Sequence, residues 1–400
     1  MADRILADSR EVPVDTGGMF VLDRVDPRQG ASGWEGHLQH PDGGTTTLGF
    51  QVIGDGPQPP DHCDGLAIAF LPLVMRRGGG LHVRGSLTRG AIRNLTEYAE
   101  AWASWSPGGF GRVVITADAV LDGLRPPACH EAVCAWSGSL KSTHTLVRHL
   151  DALAPGTFRV RAAVRVLGLR PNSASLSDAD TLRPSVEALG IEGVPLLAVR
   201  TNAATTGAID REIGPLPLVA AALHMIGGGC SSGLHSRSWP LTAQLRYPRP
   251  GVAIQDLLCG DTFAVRADGG AATPPRMAAD VGRHRALARI VSDCRDRERH
   301  EPPCGRCPAC DLLALAFVAW CGDCPLPTLR LAASRVARLP FQDPVVSAEA
   351  EGILEDWGRG PASLRTILRL RVGCSRLGID VRDHWRWVCA ALGVSPPWPR

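Results

Sequence analysis

The sequence predicts an α/β fold built on a parallel sheet, and three observations carry that prediction. From about residue 130, short apolar strands alternate with longer helical segments, which is the pattern of a parallel sheet covered on both faces. A loop of small residues joins the first of these strands to the first helix. Four cysteines with metal-ligand spacing follow near residue 300.

The composition is that of an ordinary globular protein of about two or three domains. The chain has 400 residues, of which 44% are hydrophobic and 21% charged, and its formal net charge is +3. This balance gives no basic surface for nucleic acid, and the longest apolar runs are shorter than the ~20 residues that span a bilayer. The N-terminal residues lack the apolar core of a signal peptide. We therefore expect a cytoplasmic protein that binds neither a membrane nor nucleic acid.

Residues 1–125 are predicted to form an N-terminal α+β accessory domain. Its β-like runs are separated by glycine and proline, and apolar residues at helical spacing between Ile92 and Trp102 indicate one helix. No residue pattern here predicts a chemistry, so we interpret this domain as a recognition or scaffolding unit. The predicted strands are Met19–Val25, Thr46–Ile53, Leu66–Leu73, Leu81–Val83 and Arg112–Ile115.

Residues 126–325 contain the strand–helix alternation. The strand Ala132–Trp136 leads through a loop at 137–139 into a helix at Leu140–Leu153. Because ligands bind beyond the carboxyl ends of parallel strands, we expect this loop, Asn202 and the segment from His235 to Trp239 to lie on one rim. The elements predicted in between are strand Phe158–Val166, helix Asp178–Leu189, strand Val194–Thr201 and helix Pro217–Met225.

The loop–helix junction after the first strand has the features of a phosphate site. Orphan amides and the positive end of the helix attract an anion at such a place. Lys141, Ser142 and Thr143 resemble the end of a Walker A motif, GxxxxGK[ST]. However, Ala135 and Leu140 occupy the two glycine positions, so the loop cannot wrap phosphates in the Walker manner.

A second interpretation of the same junction is the pyrophosphatase-type loop, SGGxDS. Ser137, Gly138 and Ser142 match that pattern, whereas Ser139 replaces the second glycine and Lys141 replaces the aspartate. A third interpretation is a serine-capped helix that follows a buried strand and holds no ligand. The loop alone leaves these interpretations open.

Four cysteines predict a structural metal site between residues 294 and 310. Cys294 lies upstream of the tight knuckle formed by Cys304, Cys307 and Cys310. Four thiolates with no open position are the ligand set of a structural Zn²⁺. A later CGDC segment follows an apolar, helix-like stretch that would carry it roughly 15 Å away, so we expect no ligand from that pair.

Residues 326–400 are predicted to be a helical C-terminal extension. Their apolar spacing is helical, and no repeat or low-complexity segment interrupts it. The predicted helices are Ser347–Trp357, Ser363–Leu377 and Val381–Leu392.

Together, the loop and the knuckle resemble one family, the QueC-like PP-loop ATP pyrophosphatases, which are relatives of 7-cyano-7-deazaguanine synthase. Residues 304–310, CGRCPAC, closely match the CGxCxxC zinc run of that family. The resemblance covers roughly residues 130–325. The N-terminal domain, with DGLAIAFLPLVMRRGGGLHVRG before a helix, is similar to the long QueC-like proteins of the Qat and type IV CBASS antiphage systems. The resemblance implies a Rossmann-like sheet of the adenine nucleotide alpha hydrolase type.

The resemblance also implies an ATP-dependent carbon–nitrogen ligase. ATP would adenylate the carboxylate of a 7-deazaguanine, and an amine would then attack the acyl-adenylate; in the long relatives this amine is the N-terminus of a partner protein. The implied cofactors are ATP and a structural Zn²⁺. Mg²⁺ stays open, because the family holds it with the aspartate that Lys141 replaces, and a protonated lysine is no metal ligand.

An alternative is a catalytically degenerate pseudoenzyme that binds a nucleotide or a deazapurine and scaffolds a partner protein. A zinc-ribbon protein that binds nucleic acid is disfavoured by the near-neutral charge.

Site residues are carried over only where this sequence matches the family motif. The resemblance implies ATP-phosphate contacts at Ser137, Gly138, Ser139, Ser142 and Thr143. It makes catalytic candidates of Lys141 and Ser142. Candidates for the base or substrate pocket are Asn202, His235 and Arg237.

Overall fold

A computed structural model describes residues 18–25, 33–169, 179–237, 253–294, 303–341 and 343–376. Its centre is a ten-stranded, mostly parallel sheet with helices packed against it. The predicted α/β class with a parallel sheet is therefore confirmed. The predicted helix Val381–Leu392 and the Trp239 end of the predicted rim lie outside the described residues.

Ten strands and twelve α-helices are formed by the described residues, and they follow the chain in this order. The strands are β1 Met19–Val25, β2 Gly33–Gln39, β3 Thr45–Ile53, β4 Gly79–Thr88, β5 Val113–Leu121, β6 Glu131–Ala135, β7 Arg159–Leu167, β8 Leu196–Thr201, β9 Ser232–Ser236 and β10 Ala264–Asp268. The helices are α1 Asp64–Arg77, α2 Arg89–Trp105, α3 Leu140–Leu150, α4 Ala179–Ile191, α5 Ala203–Thr206, α6 Leu216–Ile226, α7 Pro274–Gly282, α8 Arg285–Ile290, α9 Pro308–Cys321, α10 Ala333–Ala337, α11 Pro344–Glu355 and α12 Ala362–Arg376.

The C-terminal half of the sheet is wholly parallel, in the order β10-β9-β6-β7-β8. The chain runs outward from β6 to β8 and then returns to the other side of β6 with β9 and β10, so the strand order reverses between β6 and β9. Alternate residues of β6 face opposite sides of the sheet. Cys134 packs in one core with Leu146 of α3, whereas Val133 packs in another with Leu223 of α6.

The N-terminal strands continue the same sheet, in the order β3-β2-β1-β4-β5 beyond β8. The junction is an antiparallel pairing of β3 with β8, in which Phe50 lies opposite Thr201. On one face, a single apolar core unites residues of α1, α2 and α6 with these strands. Strands from both halves of the chain therefore share one hydrogen-bonded sheet.

The predicted strand Leu66–Leu73 is wrong, because these residues belong to α1. This helix is buried on nearly every side, with Leu66 and Phe70 at 1% and 0% exposure. It lies between the sheet and α6, so it needs no polar stripe. A short run that is apolar all round has the same appearance as a buried strand, and periodicity cannot separate the two.

The C-terminal helices pack against α9 rather than against the sheet. A separate apolar core joins Leu315 of α9 to Ile353 of α11 and Leu368 of α12. Two of the three helices predicted for this extension are thus present, with bounds shifted by a few residues. Among the described residues, no helix combines the length and the apolar character needed to cross a bilayer.

Candidate functional site

The loop between β6 and α3 lies where the strand order of the sheet reverses. β6 ends at Ala135, and α3 begins at Leu140. Ligands of open α/β sheets bind in the crevice beyond the carboxyl ends of the strands, at this kind of reversal. The sequence-predicted phosphate loop therefore occupies the position where a parallel sheet of this order binds its ligand.

Three serine hydroxyls converge in this loop. The Oγ atoms of Ser137, Ser139 and Ser142 lie 3.1 to 3.2 Å from one another. Ser139 is the N-cap of α3, since its Oγ accepts a hydrogen bond from the Ser142 amide at 3.2 Å. Such a cap satisfies one of the orphan amides at a helix start. A serine cap was one of the interpretations that the sequence left open, and the structure shows that Ser139 is the cap and brings the three hydroxyls together.

The loop backbone leaves several amides available for an anion. Gly138 has a φ of +78°, a conformation that favours glycine, and its carbonyl accepts a hydrogen bond from the Ser292 amide at 2.9 Å. Within the described part of the chain, the amides of Gly138, Ser139 and Leu140 have no hydrogen-bond partner. Consecutive free amides at the positive end of a helix bind phosphate or carboxylate oxygens.

Two buried side chains, Trp136 and Thr143, pack behind the loop and support it. The Trp136 indole donates a hydrogen bond to the Thr143 hydroxyl over 3.2 Å, and both side chains are buried. The buried guanidinium of Arg165 lies 5.5 Å from the centre of the Trp136 ring and donates to Ser185 of α4. Thr143 is therefore a supporting residue behind the loop. Of the three serines, Ser137 is half-buried, whereas Ser139 and Ser142 are buried.

A histidine–carboxylate contact and an ion pair fix α3 to the elements beside it. His144 Nε2 lies 3.3 Å from an Asp280 carboxylate oxygen of α7, and Arg148 pairs with Asp268 at the end of β10. Burial lowers the pKa of His144, although the nearby carboxylate opposes that shift. Because α3 is held at two points, the orientation of its N-terminal amides is defined.

Lys141 does not lie free above the loop. Its Nζ is 2.6 Å from a carboxylate oxygen of Glu349 in α11, and each side chain is 21% exposed. The C-terminal extension therefore places an acidic side chain beside the loop position where the QueC-like pattern has an aspartate. The loop itself contains no acidic side chain.

His235 and Arg237 lie on the strand next to the loop. His235 lies inside β9, and it directly follows Leu234, which pairs with Cys134 of β6. Burial lowers the pKa of His235 to about 4, so its ring is neutral near pH 7. Its Nδ1 lies 3.2 Å from the Ser236 carbonyl. Arg237 follows the strand end and is half-buried.

Asn202 is bonded within the sheet. Its side-chain amide donates to the Thr47 carbonyl at 3.1 Å, and its carbonyl oxygen accepts from the Gly49 amide at 2.9 Å. Asn202 follows β8, which is separated from β6 by β7. Two strand spacings therefore place Asn202 about 10 Å from the end of β6, where the phosphate loop begins. The structure therefore assigns Asn202 to the junction of β8 with β3.

Four thiols come together as the cysteine spacing predicted. The sulphur atoms of Cys294, Cys304, Cys307 and Cys310 all lie within 4.8 Å of one another. Cys304 and Cys310 are 3.8 Å apart, and Cys307 and Cys294 are 4.0 Å apart. A tetrahedral ion with sulphur ligands at ~2.3 Å needs sulphur–sulphur distances of about 3.8 Å. This group could hold a metal ion such as zinc.

Hydrogen bonds and burial shift the pKa values of two of these thiols in opposite directions. Burial acts to raise the pKa of Cys304, but hydrogen bonds from the backbone amides of Arg306 and Cys307 and from Cys294 lower it to about 7. Burial raises the pKa of Cys310, and the neighbouring thiols add to that rise. Four buried or half-buried thiols so close together are unfavourable as thiolates unless a cation neutralises them.

A side chain of α10 stabilises the turn between Cys304 and Cys307. The Gly305 backbone has a φ of +67°, and a Cβ at this position would lie 2.6 Å from the Thr328 carbonyl oxygen. Arg335 donates to the Gly305 carbonyl, and its guanidinium also lies 2.6 Å from Asp311 of α9. The turn between Cys304 and Cys307 therefore has no room for a side chain at Gly305.

No protein family, characterised protein or solved structure matches this chain. Its class is thus defined by the structure alone: an α/β protein with a large, mostly parallel sheet and a four-cysteine cluster that could bind a metal ion.

Sequence reasoning missed three residues that define the loop. Glu349 contacts Lys141 across 208 positions of sequence, and Ser292 bonds to Gly138 from a segment without secondary structure. No pattern signals either contact. Trp136 was assigned to the strand, although a Trp directly before a loop of small residues is a signal for a supporting role.

Proposed function

We propose that this chain binds ATP at residues 137–142 and uses it to activate a carboxylate, as QueC-like PP-loop ATP pyrophosphatases do. The observation that carries the proposal is the run of free amides at Gly138, Ser139 and Leu140. These amides begin a helix at the reversal of a parallel sheet. The order β8-β7-β6-β9-β10 has the 3-2-1-4-5 pattern of Rossmann-like nucleotide-binding sheets, which supports the same proposal.

The proposed reaction joins a 7-deazaguanine carboxylate to an amine. A carboxylate is unreactive towards amines, so its oxygen first attacks the α-phosphorus of ATP, and pyrophosphate leaves. The amine then attacks the acyl carbon of the acyl-adenylate, and AMP leaves. The family resemblance supports the N-terminus of a partner protein as the amine and antiphage defence as the setting.

Each residue of the loop has a defined task in this proposal. The free amides and the Ser137 and Ser142 hydroxyls hold phosphate oxygens, and the Lys141 ammonium supplies positive charge beside them. Arg237, at the end of the adjacent strand, is placed to attract the substrate carboxylate. The loop does not fit Mg²⁺, because it has no acidic side chain of its own. We therefore assign no step to that ion.

Zn²⁺ is the proposed occupant of the four-cysteine cluster. Four thiolates with tetrahedral spacing leave no open position, so the ion would be structural. It would connect the start of α9 to the segment after α8, which also carries the Ser292 amide that contacts the phosphate loop.

A matched pair of variants tests ATP binding at the loop. Asp and Asn are equally good N-caps, so Ser139→Asp and Ser139→Asn both keep the start of α3. Only the aspartate places a negative charge among the free amides. We expect isothermal titration to show at least tenfold weaker ATP binding for Ser139→Asp than for Ser139→Asn, with equal thermal stability. Equal ATP affinities would place the nucleotide elsewhere.

The reaction itself is tested by pyrophosphate release from ATP in the presence of 7-carboxy-7-deazaguanine. Intact mass of a co-expressed partner protein then detects the conjugate. A pseudoenzyme is the second candidate function, and the Lys141–Glu349 pair favours it, because the loop lysine already has a carboxylate partner. ATP binding that depends on Ser139, without any pyrophosphate release, would support the pseudoenzyme and exclude the ligase.

A further inference from the structure

The strand β5 forms one edge of the ten-stranded sheet. It pairs with β4 on one side, and within the described ranges no strand lies on its other side. Apart from the bonds to β4, no residue of β5 makes a backbone hydrogen bond to another described segment. A nine-residue strand therefore presents a row of amides and carbonyls along its outer side.

β5 lacks the features that usually protect an edge strand. Such strands contain proline, lysine, inward-pointing charges or bulges. The sequence VVITADAVL has neither proline nor lysine, and its one charge, Asp118, is held by His82 at 3.0 Å and by the Gly85 amide at 3.1 Å. The extra residue of the bulge between Val83 and Ser86 lies in β4, so β5 keeps a regular alternation.

The exposed face of β5 is complementary to itself in the antiparallel direction. A two-fold axis through Ala117, the middle residue, places Val114 opposite Val120 and Thr116 opposite Asp118. The two valines are 45% and 40% exposed. The axis therefore pairs two apolar side chains. On each side of it, Thr116, whose hydroxyl is 3.0 Å from His82 Nδ1 of its own chain, lies opposite Asp118 of the other copy.

The flanking residues extend this complementarity by charge. Arg112 precedes β5 and Asp122 follows it, so the same axis places each arginine opposite the aspartate of the other copy. Both residues are exposed. Asp122 already pairs with Arg89 of α2, 2.7 Å from its guanidinium, and a second arginine would complete a short ion-pair cluster.

We propose that β5 is a self-association surface, at which two copies of this chain pair their β5 strands antiparallel about a two-fold axis through Ala117. The pairing satisfies the outer backbone groups of both strands and covers the exposed valines. Such an interface is isologous, so it closes at two copies and leaves no further edge on that side. The phosphate loop lies in the other half of each sheet, and the dimer leaves it accessible.

Sedimentation velocity over a concentration series tests this proposal. We expect Val120→Lys to weaken dimerisation at least tenfold, because it places an ammonium opposite Val114 of the other copy. Val186→Lys is the matched control, since Val186 is 49% exposed but lies in α4, and it should leave the dimer unchanged. Thermal unfolding confirms that both variants fold. A chain that is monomeric at all concentrations, or a dimer that Val120→Lys leaves intact, would overturn the proposal.

Cross-linking tests the register. In the double variant Val114→Cys and Val120→Cys, residues 114 and 120 of the two copies face each other, at a Cα separation that a disulfide can bridge. The single variant Val120→Cys has no cysteine opposite it in this register. We expect the 114–120 cross-linked peptide by mass spectrometry only for the double variant. Its absence, or protection of the β5 amides from hydrogen exchange in a monomer, would show that this edge has another occupant.

Discussion

Replacing Gly305 by alanine should open the turn that carries the cysteine cluster. Gly305 has a φ of +67°, and an added Cβ would lie 2.6 Å from the Thr328 carbonyl oxygen. The left-handed conformation alone costs about 1–2 kcal/mol for a residue with a Cβ. A backbone oxygen cannot rotate away, so relief of the clash adds a cost of the same order, and the total is about 3 kcal/mol.

Gly207→Ala is the control for this substitution. Gly207 has a φ of +72° and nothing within 4 Å of an added Cβ, so it should lose only the conformational cost of about 1–2 kcal/mol. Urea unfolding with zinc bound measures both losses, and competition with a chelator measures the metal affinity. We expect Gly305→Ala to lose more stability and to release its metal more readily. Equal losses for the two variants, with unchanged metal affinity, would refute the reasoning.

Two further predictions concern charged groups outside the cysteine cluster. Glu349→Gln removes the carboxylate beside the phosphate loop, so the ATP affinity measured by titration should rise roughly fivefold, or about 1 kcal/mol. The control Glu355→Gln, an exposed change at the end of the same helix, should leave the ATP affinity unchanged. Equal ATP affinities for the two variants would contradict a role of the Lys141–Glu349 pair. Burial acts to lower the pKa of His284, but hydrogen bonds to Glu192 and Asp151 raise it overall. The protonated His284 ring therefore stabilises the folded protein. This stabilisation is complete below the ordinary histidine pKa of about 6.5 and is lost as the pH rises through the raised pKa. The free energy of unfolding should therefore fall by about 1 kcal/mol between about pH 6 and about pH 8 relative to His284→Asn, and parallel pH profiles would exclude this role.

Three strands of the parallel half, β6, β7 and β8, were predictable because their signals are local. Each is a short apolar run, and a segment with helical spacing separates it from the next. The strands β9 and β10, with the sequences SGLHS and AVRAD, were not predicted, because neither is an apolar run. The helix α1 was not predictable by the same rule, because Leu66–Leu73 is apolar on every side. The pairing of β3 with β8 was not predictable either. It depends on contacts between Phe50 and Thr201 that are remote in sequence and carry no pattern.

In the candidate site, too, some features were predictable from local sequence and others were not. Cysteine spacing predicted the four-thiol cluster because a tight knuckle brings its ligands together within a few residues. The small-residue loop before α3 indicated that a serine could cap this helix, and the structure identifies that serine as Ser139. The partner of Lys141 was not, since Glu349 reaches it only after α9 and α11 have packed together. Asn202 was predicted for the base or substrate pocket, and that role stays a prediction. Its side chain bonds to the backbone of β3, because strand ends also serve as junctions between strands.

The Lys141–Glu349 pair bears directly on how the loop could receive phosphate. Both side chains are 21% exposed, and an ion pair with access to water contributes about 1 kcal/mol or less. The phosphates of ATP carry more negative charge than one carboxylate, and they would be held by the free amides next to Lys141 at the same time. Exchange of Glu349 for phosphate is therefore favourable. The carboxylate released by that exchange would lie beside the bound nucleotide, in the middle of a helix that belongs to the C-terminal extension, so nucleotide binding would be coupled to the position of α11.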